Sequence, residues 1–132
     1  MKGGIRLRVV VLSTQNTLLS GSIIKYLQER GELLPQRVQD PEKVFDTVEA
    51  LKAGVLLMEV TRLPQYSLEA RLSVVHRLRE RELPCKVALL CDENADRETA
   101  EKVKDAKKMG LIDCFFYSSV SGEYLAAVLD CL

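Results

Sequence analysis

Few side chains in this 132-residue chain are of the kinds that carry out chemistry, and their spacing narrows what that chemistry is. His76 is the single histidine; it falls mid-helix among arginines, where a solvated surface role is expected rather than proton transfer. The four cysteines, Cys85, Cys91, Cys114 and Cys131, contain no C-x-x-C pair. The ligand spacing of a zinc site is therefore missing, and no metal is expected. Cys91 and Cys114 lie inside apolar runs, where cysteine behaves as a small buried hydrophobe, and we read the compartment as reducing and cytoplasmic. The run Ser13-Thr14-Gln15-Asn16-Thr17 precedes a helical pattern and has the donors to hold an anion there, although such a run also serves as a plain helix cap. It is not glycine-rich: neither a G-x-G-x-x-G nor a P-loop is present, and no Ser-His-Asp set is visible.

These residues must be positioned by something, and the chain alternates. Apolar, β-branched-rich runs occur at Ile5–Leu12, Gln36–Gln39 (weak), Val55–Val60, Lys86–Cys91 and Ile112–Tyr117. Most lack polar alternation, which suits strands covered on both faces of a parallel sheet. Between them lie helical stripes: Leu18, Leu19, Ile23, Ile24 and Leu27, ending at Gly31; Val44, Phe45, Val48 and Leu51, opened by an Asp40 cap and Pro41; Leu68, Leu72, Val75 and Leu78, with Arg71, Arg77, Arg79, Glu80 and Arg81 outside; Ala100, Val103, Ala106 and Lys107 on a very polar helix; and Tyr124, Leu125, Val128 and Leu129, capped by Ser121. The pattern is an α/β (βα)5 chain, a doubly wound five-stranded parallel sheet in a three-layer arrangement, with residues 1–132 as one domain. Ligands of such sheets sit at the carboxyl ends of the strands, so the residues that follow each strand matter most: Ser13 and Thr14, Glu59 to Arg62, Cys91 and Asp92, and Tyr117 to Ser119.

Composition excludes several classes. Nineteen basic and nineteen acidic residues give zero formal charge, so no cationic excess is available for nucleic acid. With 47% hydrophobic residues the chain is not disordered, no apolar run is long enough to span a membrane, and the N-terminus lacks a signal-peptide core.

The order and placement of these elements resemble a bacterial response-regulator receiver domain, with a flavodoxin-like fold, over about residues 5 to 131. The pieces that carry the resemblance are the strand Val9-Val-Val-Leu-Ser-Thr, the strand Gly54-Val-Leu-Leu-Met-Glu-Val-Thr-Arg-Leu-Pro, the strand Lys86-Val-Ala-Leu-Leu-Cys, and the stretch from Ala106 through Gly110 and Asp113 to Leu125. The resemblance implies a phospho-acceptor pocket: two acids after strand 1 and an aspartate after strand 3 holding Mg2+, a hydroxyl residue after strand 4 and a lysine after strand 5. At the matching positions this chain has Ser13 and Thr14, Glu59, Cys91 and Tyr117, with Ser118 where a proline follows the lysine. Glu59 lies five residues before Pro64, where four is usual, and neither register supplies an aspartate.

Phosphoryl transfer is positioning plus charge stabilisation. Two hydroxyls do not replace two carboxylates as Mg2+ anchors, and a neutral tyrosine does not cancel phosphoryl charge. The pocket is therefore expected to be degenerate, with no cofactor and no enzymatic activity. Glu59 either mimics a phosphorylated acceptor or points at solvent. The expected role is a phosphorylation-independent protein-interaction or dimerisation module in two-component signalling, acting without an attached output domain. By the resemblance its association face is helix 4, strand 5 and helix 5, with Arg97, Glu98, Glu101, Lys102, Lys104, Asp105, Lys108, Phe116, Tyr117, Glu123 and Tyr124 upon it. The alternatives are a flavodoxin-like nucleotide or flavin binder using the Ser13–Thr17 loop, and a redox or phosphate-accepting role for Cys91.

Overall fold

The computed structural model describes residues 7–132. Ile5 and Arg6, at the start of the expected first strand, lie outside the described residues. The elements are β1 (Arg8–Ser13), α1 (Thr17–Glu29), β2 (Leu33–Arg37), α2 (Val44–Leu51), β3 (Val55–Val60), α3 (Leu68–Glu80), β4 (Lys86–Cys91), α4 (Arg97–Lys108), β5 (Cys114–Tyr117) and α5 (Gly122–Asp130). The strands form one sheet in the order β2-β1-β3-β4-β5, every pair parallel. This is the expected flavodoxin-like α/β arrangement.

The central strands are apolar through their middles, with polar residues only towards their ends, because both faces are covered. Val11, Leu56, Met58, Val87 and Leu89 point to the side packed by α2, α3 and α4. Val10, Leu12, Val55, Leu57, Ala88 and Leu90 point to the side packed by α1 and α5. No helix among the described residues is long and apolar enough to cross a membrane.

The helix starts follow their capping residues. Asp40 accepts from the Glu42 amide at 2.9 Å and opens a short 3-10 turn at Pro41–Lys43, from which α2 continues. Ser121 accepts from the Tyr124 amide at 3.1 Å to start α5.

Several placements differ from expectation. The second strand is Leu33–Arg37, earlier than Gln36–Gln39. It is an edge strand, so Pro35 is tolerated and its burial alternates, which hides it among polar residues. The last strand begins at Cys114, two residues after Ile112. Leu18, Tyr124 and Lys107 leave their helix stripes for solvent. Arg71, expected on the outside of its helix, is fully buried.

Candidate functional site

The carboxyl ends of β1, β3, β4 and β5 bring Ser13, Thr14, Glu59, Cys91 and Tyr117 to one edge. Register fixes this: Ser13 pairs with Met58, Glu59 with Leu90, and Cys91 with both Val60 and Tyr117. The loops after these strands are tied together by polar side chains.

Glu59 is half-buried, and its carboxylate accepts from the backbone N–H of Gln15 at 2.6 Å and of Asn16 at 3.4 Å. The reading in which it points at solvent is therefore corrected. The positive end of α1, where unpaired amides favour an anion, already holds this internal carboxylate. Asn16 caps α1 through the amides of Leu18 and Leu19. The anion-holding capacity expected of the Ser13–Thr17 loop is thus used within the chain. Ser13 and Thr14 are both buried; the Thr14 hydroxyl bonds that of Ser20, and Ser13 Oγ has no protein partner.

Arg71 is a charged side chain that turns inward against the sequence expectation. It rises from the first turn of α3, donates through Nε to the Glu59 carbonyl at 2.9 Å, and through a terminal nitrogen to the Ser13 carbonyl at 3.0 Å. Its guanidinium lies 4.8 Å from the centre of the Tyr66 ring. Burial pulls its pKa down to about 10, against the opposing influence of Tyr66 and Glu59, and it remains charged at pH 7. The signal was in the spacing: position 71 is three residues after Leu68 and four before Val75, on the inward stripe of α3. Arg37, at the end of β2, adds a second guanidinium that donates to the Thr14 carbonyl at 2.9 Å.

Cys91 is buried, with its thiol directed at the Phe116 carbonyl 3.8 Å away. Burial first, then the nearby carboxylates of Glu93, Asp92 and Asp96, push its pKa up to about 11. A thiol kept protonated in this way is a poor nucleophile, so the redox or phosphate-accepting reading has no support from its surroundings. Tyr117 is half-buried and meets Phe115 edge-to-face at 5.5 Å. Beyond it, Ser119 donates to Glu93 at 2.8 Å, joining the β5–α5 loop to the β4–α4 loop.

A cleft of about 310 Å³ opens between the loops after β3 and β4, lined by residues that include Glu59, Arg62, Cys91, Asp92, Asp96 and Thr99. Its carboxylates are already engaged. Asp92 accepts from the amides of Asn94 and Ala95, both at 3.0 Å. Asp96 caps α4 through the Thr99 amide and pairs with Arg62 Nε at 3.0 Å. The Arg62 hydrogen bond, then the Thr99 hydroxyl and amide, hold the Asp96 carboxyl well below the usual carboxylate range. Among the described residues, no three His, Cys, Asp or Glu side chains come together as a metal-binding group.

On the expected association face, Arg97, Glu98, Glu101, Lys102, Asp105, Lys108, Glu123 and Tyr124 are exposed, and Lys104 and Tyr117 are half-buried. Phe116 is corrected: it is 4% exposed and belongs to the core under α1 and α5, because alternation on β5 turns it inward. His76 is on the surface of α3, with Nε2 3.6 Å from Glu80.

No protein-family model and no curated protein matches the chain. Solved structures do. A LuxR-family DNA-binding response regulator from Staphylococcus aureus is similar at 13% identity and TM-score 0.74, covering 95% of this chain and 98% of that one. The receiver domain of the NarL response regulator from Mycobacterium tuberculosis is similar at 19% identity and TM-score 0.70, covering 96% of each chain. HP1043, an orphan response regulator of H. pylori, is similar at 19% identity and TM-score 0.73, covering 94% of each. The sheet order, the two helical layers and these similarities over nearly the full length together show that the chain has the fold of a response-regulator receiver domain.

Proposed function

We propose that the chain is a degenerate receiver that works in signal transduction by binding another protein or a second copy of itself, without being phosphorylated and without enzymatic activity. The observation that carries this reading is the state of Glu59. The carboxylate at the acceptor position is bonded to the amides of Gln15 and Asn16, with Ser13 and Thr14 at the end of β1 instead of acids and Tyr117 at the end of β5 instead of a cation. An attacking carboxylate needs a metal-held phosphoryl group in line with it, and a misplacement of about 1 Å alone costs ~10²-fold. The four free cysteines, two of them buried, fit a reducing cytoplasmic setting.

For a second copy, the surface of α4 supplies the complementarity. Its first half carries Arg97, Glu98 and Glu101 after the Asp96 cap and is acidic on balance; its second half carries Lys102, Lys104, Asp105, Lys107 and Lys108 and is basic on balance, with Lys102 already 3.4 Å from Glu98. A two-fold axis across this helix sets each acidic half against the partner's basic half.

The test has two parts. Intact mass after incubation with acetyl phosphate and Mg2+ is expected to show no phosphoryl adduct; a stoichiometric adduct on Glu59 overturns the phosphorylation-independent reading. Light scattering over a concentration series is expected to show a dimer that Tyr124→Asp, at a side chain 58% exposed, returns to monomer. A strictly monomeric chain that captures no protein partner either, but whose melting temperature rises by several degrees with a nucleotide or flavin, favours the small-molecule reading instead.

A further inference from the structure

We propose that Arg71 is the resident cation of the carboxyl edge: its guanidinium holds the ends of β1 and β3 together without a divalent ion, and closes that place to one.

The carbonyls of Ser13 and Glu59 lie on adjacent parallel strands, where the β1–β3 register ends at the Ser13–Met58 pair. Both receive their side-chain hydrogen bonds from the same guanidinium, at 3.0 Å and 2.9 Å. Two such dipoles beside a carboxylate make a spot that favours positive charge. A cation in the first turn of a helix opposes the helix dipole, and a buried one loses its hydration. Arg71 does both, being fully buried at the start of α3. It stays there because the carbonyls, the Tyr66 face and the neighbouring Glu59 charge replace what water gave it.

The loop between β3 and α3 is shaped around this arrangement. Thr61 donates its amide to the Tyr66 carbonyl at 3.0 Å, which folds the loop back and sets the Tyr66 ring against the guanidinium. Glu59 is held on both of its ends. Its carbonyl binds Arg71, and its carboxylate binds the amides that open α1. A divalent ion at the same place would have to share two carbonyl oxygens with a fixed positive charge on the same acceptors.

The experiment separates charge from shape. Hard divalent ions bind through carboxylates, so Ser13→Asp with Thr14→Asp is introduced first, and Mn2+ is used as the probe for its broadening of nearby amide signals in NMR spectra. With Arg71 retained, millimolar Mn2+ is expected to leave the amides at the ends of β1 and β3 unbroadened. Adding Arg71→Gln, which keeps a hydrogen-bond donor but no charge, is expected to produce selective broadening there; adding Arg71→Lys is expected to abolish it again. Broadening of the double aspartate variant with Arg71 in place overturns the proposal. So does a folded Gln variant that shows none, or a Lys variant that binds as the Gln variant does.

The unaltered chain gives an independent check should the variants not fold. Its melting temperature is expected to be the same in EDTA and in millimolar Mg2+, and a rise with Mg2+ overturns the proposal. None of these outcomes depends on whether the chain dimerises or binds a partner.

Discussion

Arg62 and Asp96 form an ion pair across the mouth of the cleft, and their chemistry sets an acid response. The Asp96 side chain is only 18% exposed while that of Arg62 is 76% exposed, so solvent screens the pair but does not erase it. Because the folded pKa of Asp96 lies below its value in the unfolded chain, the pair contributes stability that is present above the unfolded pKa and is lost as pH falls below about 4. Asp96→Asn keeps a helix-capping side chain but cannot ionise, so its melting temperature is expected to fall less steeply with acid than that of the parent. Parallel acid limbs for the two proteins would sink this account. The pair itself was not legible in the sequence, since its members are 34 residues apart and on different loops. The same holds for Glu59, whose partners lie more than 40 residues away. Arg71 was half legible. Its spacing put it on an inward stripe, but its charge argued for the outside, and the carbonyls that reverse that argument come from two distant strands.

At the scale of the element, α3 and α4 end in the same way with different residues. In α4, Gly110 has φ +78°, and the amides of Gly110 and Leu111 return to the carbonyls of Lys107 and Ala106, both at 3.0 Å. In α3, Glu82 takes the equivalent place with φ +55°, and the amides of Glu82 and Leu83 return to Arg79 and Leu78, again at 3.0 Å. Left-handed backbone favours glycine because a Cβ crowds the following carbonyl. Glu82→Gly is therefore expected to raise stability, and Gly110→Ala to lower it, each on the order of 1 kcal/mol. An added Cβ at Gly110 meets nothing within 4 Å, so the cost there is one of backbone conformation alone. Denaturant midpoints that move in the same direction for both variants would contradict this. Starts and stops of this kind were the most legible part of the fold, because caps act within three or four residues: Asp40-Pro41, Ser121 and Gly31 all mark real boundaries. The edge strand β2 was the least legible, since only its pairing with β1 makes Leu33–Arg37 extended.

For the whole molecule, zero formal charge means that no long-range repulsion opposes contact between copies. Association is then governed by local charge pattern, and α4 concentrates that pattern. A dimer paired through its halves should weaken as salt is raised, because exposed charges are screened within about 8–10 Å at physiological ionic strength. Lys104→Glu with Lys108→Glu is expected to abolish self-association, and mixing that variant with one carrying Glu98→Lys and Glu101→Lys is expected to restore a heterodimer. Sedimentation of the two variants, alone and mixed, decides the matter; no recovery on mixing would place the contact elsewhere.

Arg71 grips main-chain oxygens, which every residue type possesses. The hold on β1 is therefore indifferent to which side chain stands at position 13, within the volume it allows, whereas position 59 contributes its charge as well as its carbonyl. A saturation mutagenesis survey read out by folding should find position 71 narrow, position 13 broad within its buried volume, and position 59 favouring an acid. The edge can thus drift in sequence at position 13 while its shape stays constant, as long as the arginine and the acid beside it are kept.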